Sequence, residues 1–126
     1  MREAFSKARS TLDEFLVRAR SPSPGTTGYA LKVAVSDGPN VEYFWVRDFS
    51  SEGSSFRGVL NNIPRRVMKH KLGDSIAFHR EQIADWTFID SSKNRMFGNF
   101  TACALLSKEP PLQAEKFKQQ YGLRCD

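Results

Sequence analysis

The hydrophobic period of this chain changes between residues 20 and 29, and that change decides what it can fold into. Ahead of it, Ala4, Phe5, Ala8, Leu12, Phe15, Leu16 and Ala19 recur at steps of three and four, the spacing of one helical face, with charges on the other. The pattern predicts an amphipathic helix over residues 1–20. Ser21-Pro22-Ser23-Pro24-Gly25 ends it, because proline lacks the amide donor and turns the residue before it away from helix. From Tyr29 the period is two, with Tyr29, Leu31, Val33 and Val35 on one face of a half-buried strand. A helix of this length is marginal alone in water, so its apolar face should pack on the rest of the chain.

Asp37-Gly38-Pro39-Asn40 is strong turn chemistry, and a second strand comes next over residues 41–49. It carries Val41, Tyr43 and Trp45 on one face and Phe44 and Val46 on the other, which predicts a central strand covered on both sides. The polar run Ser50 to Ser55 leads into Phe56 to Leu60; Ser75 to His79 and Trp86 to Ile89 read as two further short strands. Ser91-Ser92-Lys93-Asn94 reads as a turn. Thr101 could cap a helix from Ala102 to Ser107, with a strand as the alternative. Pro111 opens a last helix that Gly122 stops, with Leu112, Phe117 and Tyr121 as its expected anchors. At 126 residues, 40% hydrophobic and with ten Phe, the chain has enough apolar mass for one core without metal or disulfide staples. The expectation is a single α+β domain, residues 1–126: a helix over 1–20, a curled antiparallel five-stranded sheet over 28–90 forming an SH3-like small barrel, and a helical segment over 100–122.

The formal charge is +5, and most of the excess sits in residues 61–80, which hold five basic side chains and one acidic. Their centre is the loop 64–71, Pro64-Arg65-Arg66-Val67-Met68-Lys69-His70-Lys71, which could meet phosphate or an acidic protein surface; a solvated loop is the plainer reading. The first twenty residues interleave charge with apolar residues, unlike a signal peptide, and no stretch is apolar enough for a membrane span. These features predict a cytoplasmic protein. Cys103 and Cys125 then read as free thiols, with a bridge between them as the alternative.

A set of motifs in fixed order gives more. Tyr29-Ala30-Leu31-Lys32-Val33, Val41-Glu42-Tyr43-Phe44-Trp45-Val46, Phe56-Arg57-Gly58-Val59-Leu60-Asn61-Asn62, Leu72-Gly73-Asp74, Ile83-Ala84-Asp85-Trp86 and Met96-Phe97-Gly98-Asn99-Phe100-Thr101 come after an opening helix with Ala8-Arg9 and Phe15. This order resembles the YegJ-like bacterial family of domains of unknown function, over roughly residues 4–122. The resemblance implies a compact bacterial domain, found alone or attached to other modules, and carries no catalytic residues with it.

Tested for chemistry, the sequence excludes more than it offers. His79-Arg80-Glu81 matches half of a zinc-deaminase signature, but the Pro-Cys-x-x-Cys half is missing, so no metal is expected. There is no phosphate-cradling Gly-rich loop and no Gly-x-Ser-x-Gly elbow, and neither a cofactor nor a catalytic residue is assigned. Asp85 reads as a turn-holding residue before an acid or base. Trp45 and Trp86 are core residues by default, but beside Arg65, Arg66, Lys69, Lys71 or Arg95 either could stack on a base or anchor a protein partner. The leading expectation is a non-enzymatic module, accessory or immunity-type, that binds another protein. Rival readings are a nucleic-acid-binding barrel using the basic loop, and an enzyme built on Asp85, His79 and Arg95.

Overall fold

The computed structural model describes residues 1–125. Among these the elements run α1 (Arg2–Arg20), β1 (Thr26–Asp37), β2 (Asn40–Glu52), β3 (Ser55–Leu60), β4 (Ser75–His79), a 3-10 turn at Arg80–Gln82, β5 (Ile83–Asp90), β6 (Arg95–Gly98), α2 (Phe100–Leu106) and α3 (Pro111–Tyr121). The class is α+β, but the sheet corrects the five-stranded SH3-like barrel. It has six antiparallel strands in the order β4-β3-β2-β1-β5-β6 and is open, with β4 and β6 as its edges. The additional strand is β6. Its four residues are too few to show a period, and it exists because Phe97 and Met96 have partners, Phe88 and Ile89, across a tight turn.

The described residues divide into two compact units, one of residues 30–84 and one joining residues 1–29 to those from 85 onward. In the 30–84 unit, β1 and β2 pair in the register Ala30 with Arg47 through Asp37 with Asn40, closed by Gly38 at φ +60°. Alternation then places Leu31, Val33, Phe44, Val46, Phe56, Leu60, Ile76 and Phe78 on one buried face. The opposite face of β2 is not covered as the bulky pattern suggested: Val41 and Tyr43 are both nearly half exposed. Between Arg47 and Ser50 the β2–β3 register slips by one residue, a bulge with Asp48 at φ +49°. Gly58 is required by this packing, because a Cβ there would run into Val46 and the Arg47 carbonyl.

In the other unit, α1 buries Ala4, Ala8, Leu12 and Phe15, the face read from its period, and packs against α2. Phe15 stacks on Trp86 at 4.9 Å between ring centroids, and Trp86 Nε1 donates to Thr11 Oγ1 at 2.9 Å. Residues 100–106 are helix, but Thr101 is not the N-cap. Asn99 occupies that position in the left-handed region, φ +53°. Gly122 ends α3 as expected, φ +68°. The anchors of α3 differ from those expected: Leu112, Phe117 and Tyr121 lie largely at the surface, and small Ala114 is the buried one. Cys103 and Cys125 are joined in a disulfide, with Cα atoms 5.5 Å apart. The free-thiol reading is thus corrected; pairing two cysteines 22 residues apart depends on α2 and the segment after α3 meeting, which no local pattern encodes. No helix among the described residues is long and apolar enough to cross a membrane.

Candidate functional site

Strand alternation builds the most developed site in the unit that joins residues 1–29 to those from 85 onward. Trp86 and Phe88 are two apart on β5, Arg95 and Phe97 two apart on β6, and the register sets Phe88 opposite Phe97, so all four share one face. Phe88 stacks on Phe97 with centroids 4.9 Å apart and planes 9° from parallel. The Arg95 guanidinium carbon lies 4.4 Å from the Phe97 centroid, and that of Arg18, from α1, lies 5.4 Å from Phe88. Two cations thus sit over two stacked rings, each within the range where the ring quadrupole attracts positive charge. These residues line a cleft of about 380 Å³, whose walls also include Lys93, Phe100 and Arg124. Four basic side chains face two acidic ones there, Glu14 and Asp90. Asp90 is already engaged: Oδ1 accepts from Ser92 N, Ser92 Oγ and Lys93 N, and the Ser92 hydroxyl bond, ahead of the backbone bonds, holds its carboxyl below the usual range.

The residues singled out from sequence fall in different places. Trp86 and Arg95 both belong to the cleft, with Trp86 almost wholly buried as part of its floor. Trp45 lies in the other unit, half-buried, with Lys32 Nζ 5.3 Å from its ring centroid. Its backbone is locked to the motif at the end of β3: Trp45 N–H donates to Asn62 Oδ1 at 2.7 Å, and Asn61 N–H donates to the Trp45 carbonyl at 2.9 Å. Arg65, Arg66, Lys69 and Lys71 are all exposed on one loop of that unit.

Sequence reasoning missed what organises this loop. The Glu42 carboxylate accepts from the N–H groups of Arg65, Arg66 and Val67 at 2.8–3.1 Å. Such a run of amides is an anion-binding concavity, and here the chain fills it with its own carboxylate. The Arg66 amide leads in pulling the Glu42 pKa down, against a smaller opposing effect of desolvation.

Asp85 is fully buried. Its Oδ1 accepts from Trp86 N and Phe100 N, and its Oδ2 from Thr101 N and Thr101 Oγ1, at 2.7–3.2 Å. It therefore caps α2 from a neighbouring strand, satisfying donors the helix end leaves open. Burial raises its pKa, opposed by those bonds. His79 sits exposed at the end of β4, its N–H donating to Gln82 Oε1, and the described residues contain no group of three or more His, Cys, Asp or Glu placed to hold a metal.

Asp85, Glu42 and the cleft residues Phe15, Trp86, Met96, Phe97, Gly98 and Phe100 fall within the ordered motifs, whereas Phe88 and the four cations of the cleft lie outside them. Residues 1–125 match a family described as "Uncharacterized protein conserved in bacteria (DUF2314)". The chain belongs to this family. The relatives include "Uncharacterized protein YegJ" of Escherichia coli (strain K12), 27% identical over 118 residues that cover 94% of this chain and 74% of that protein. The "Putative ankyrin repeat protein NMB1133/NMB1171" of Neisseria meningitidis serogroup B (strain ATCC BAA-335 / MC58) is 32% identical over 69 residues, 55% of this chain and 26% of its own length. No solved structure matches. The YegJ-like resemblance read from the motifs is therefore established.

Proposed function

We propose that this domain is a non-enzymatic binding module, accessory or immunity-type, which recognises another protein through the cleft between α1 and strands β5 and β6. One observation carries the proposal: Arg18 and Arg95 sit over the stacked rings of Phe88 and Phe97, with Lys93 and Arg124 beside them. An aromatic floor under several cations suits a partner segment that pairs acidic with apolar or aromatic side chains, since arginine and aromatic residues supply most hot-spot energy at interfaces. Asp85 supports the non-enzymatic reading, because both its oxygens are committed to donors of the fold. The self-filled amide run of loop 64–71 supports ranking protein above nucleic acid, because Glu42 already occupies donors that a phosphate would use.

The compartment belongs to the same proposal. The free-thiol reading followed from the cytoplasmic one, whereas a Cys103–Cys125 bond favours an oxidising environment where it persists.

Fluorescence anisotropy with labelled peptides tests the reading. An alternating Glu/Phe peptide should bind, a Lys/Phe peptide of equal length should not, and an Arg18→Glu, Lys93→Glu variant should lose roughly tenfold or more in affinity. Replacing Arg65, Arg66, Lys69 and Lys71 by Ala should leave peptide affinity within about twofold. Loss of binding in the loop variant, with retention in the Arg18, Lys93 variant, would move the site to the basic loop.

A further inference from the structure

The segment after α3 delivers one cation to the cleft between two fixed points. On one side, buried Leu123 forms a parallel bridge with Met96, Met96 N–H donates to the Gly122 carbonyl at 3.0 Å, and Leu123 N–H donates to the Lys118 carbonyl at 2.9 Å. On the other side, Cys125 is bonded to Cys103 of α2. Arg124 is exposed between them and lines the cleft. With the bridge intact, its backbone is held at the rim on both sides; with the bridge open, the chain beyond Leu123 must be ordered anew at each binding event.

Resting on the reading of the cleft as a binding site, we propose that Arg124 is a specificity clamp for the acidic group of the ligand and that the Cys103–Cys125 bond positions it, so that affinity follows the redox state of that bond. The switching step is thiol–disulfide exchange with a dithiol reductant. The bond between the two Sγ atoms breaks, each sulfur ends as a thiol, and the dithiol supplies the two electrons and two protons while closing to its own disulfide. Cys103 is half-buried and Cys125 exposed, which gives a reductant access to the bond.

Two readouts on the full chain test this. The first is the backbone amide resonance of Arg124, compared with Trp86 Nε1–H as a marker of the intact fold. On reduction the arginine signal should move to its unfolded-peptide position while the indole signal stays. The second is anisotropy with the labelled Glu/Phe peptide. Reduction and Arg124→Ala should each weaken binding about two- to fivefold, the scale of one exposed charge pair, and reducing the Arg124→Ala variant should change nothing further. The variant keeps the bridge, so it reports even if the reduced wild type loses its fold. Unchanged affinity in Arg124→Ala while the oxidised wild type binds would overturn the clamp and leave the protein-binding reading standing. No peptide binding by the oxidised wild type would remove the protein-binding reading itself, and the clamp with it.

Discussion

The two carboxylates that look most like chemistry, Asp85 and Glu42, turn out to be spent on amides. Each sits in a motif that the sequence made visible, but apart from Trp86 beside Asp85 the partners lie 15 to 25 residues away, so their role could be read only once β5 met α2 and β2 met the basic loop. Asp85→Ala would leave the part-buried N–H of Phe100 and the buried N–H of Thr101 without acceptors. At about 1–3 kcal/mol for an orphaned buried donor, the variant should melt well below wild type, and an unchanged thermal midpoint would show the cap to be dispensable. For Glu42 the sign is set by its depressed pKa. Its stabilisation is fully present above the unfolded-state value and is lost as pH falls through the folded one. The stability gap between wild type and Glu42→Gln should therefore be constant near neutrality and close as pH drops below about 4; a gap that persists in acid would mean the amides do not favour the carboxylate. Gly98 is fixed by steric packing instead. At φ +72°, a Cβ there would strike the Trp86 carbonyl and ring, which explains the glycine in its motif.

At the scale of elements, periodicity was informative wherever a segment was long enough to show it. The face of α1, the Leu31–Val33–Val35 face of β1 and the limits of β4 are all set by spacing. Strand β6 was not, because four residues carry no period and its existence depends on pairing with β5. The bulk on both faces of β2 misled for a related reason: alternation tells which residues share a face, and only the neighbouring elements tell whether that face is covered. The disulfide is the other long-range feature. Closing a loop over 22 residues removes unfolded-state entropy worth about 3 kcal/mol in the chain-entropy account. Replacing Cys103 and Cys125 together by Ser should lower the urea midpoint accordingly, and an unshifted midpoint would mean the bridge contributes nothing to the fold.

For the whole molecule, the net charge of +5 invited attention to its densest run, the loop 64–71, while the cleft gathers its cations from α1, the β5–β6 turn, β6 and the segment after α3. Of its four cations only Arg95 was singled out from sequence; the Trp86-x-Phe88 and Arg95-x-Phe97 alternations were the available signal for the rest of the floor. Family membership fixes the bacterial setting and carries no activity, so the account stands on the cleft. Its most direct test is a nitrogen-15 chemical-shift titration of the oxidised domain with the Glu/Phe peptide, tracking every assigned amide and the Trp86 indole. Shifts concentrated at Trp86 Nε1–H and the amides of Lys93 to Phe97, with loop 64–71 unmoved, are the result the account predicts. Saturable shifts confined to loop 64–71 and its Glu42 neighbourhood, with the cleft silent, would contradict it.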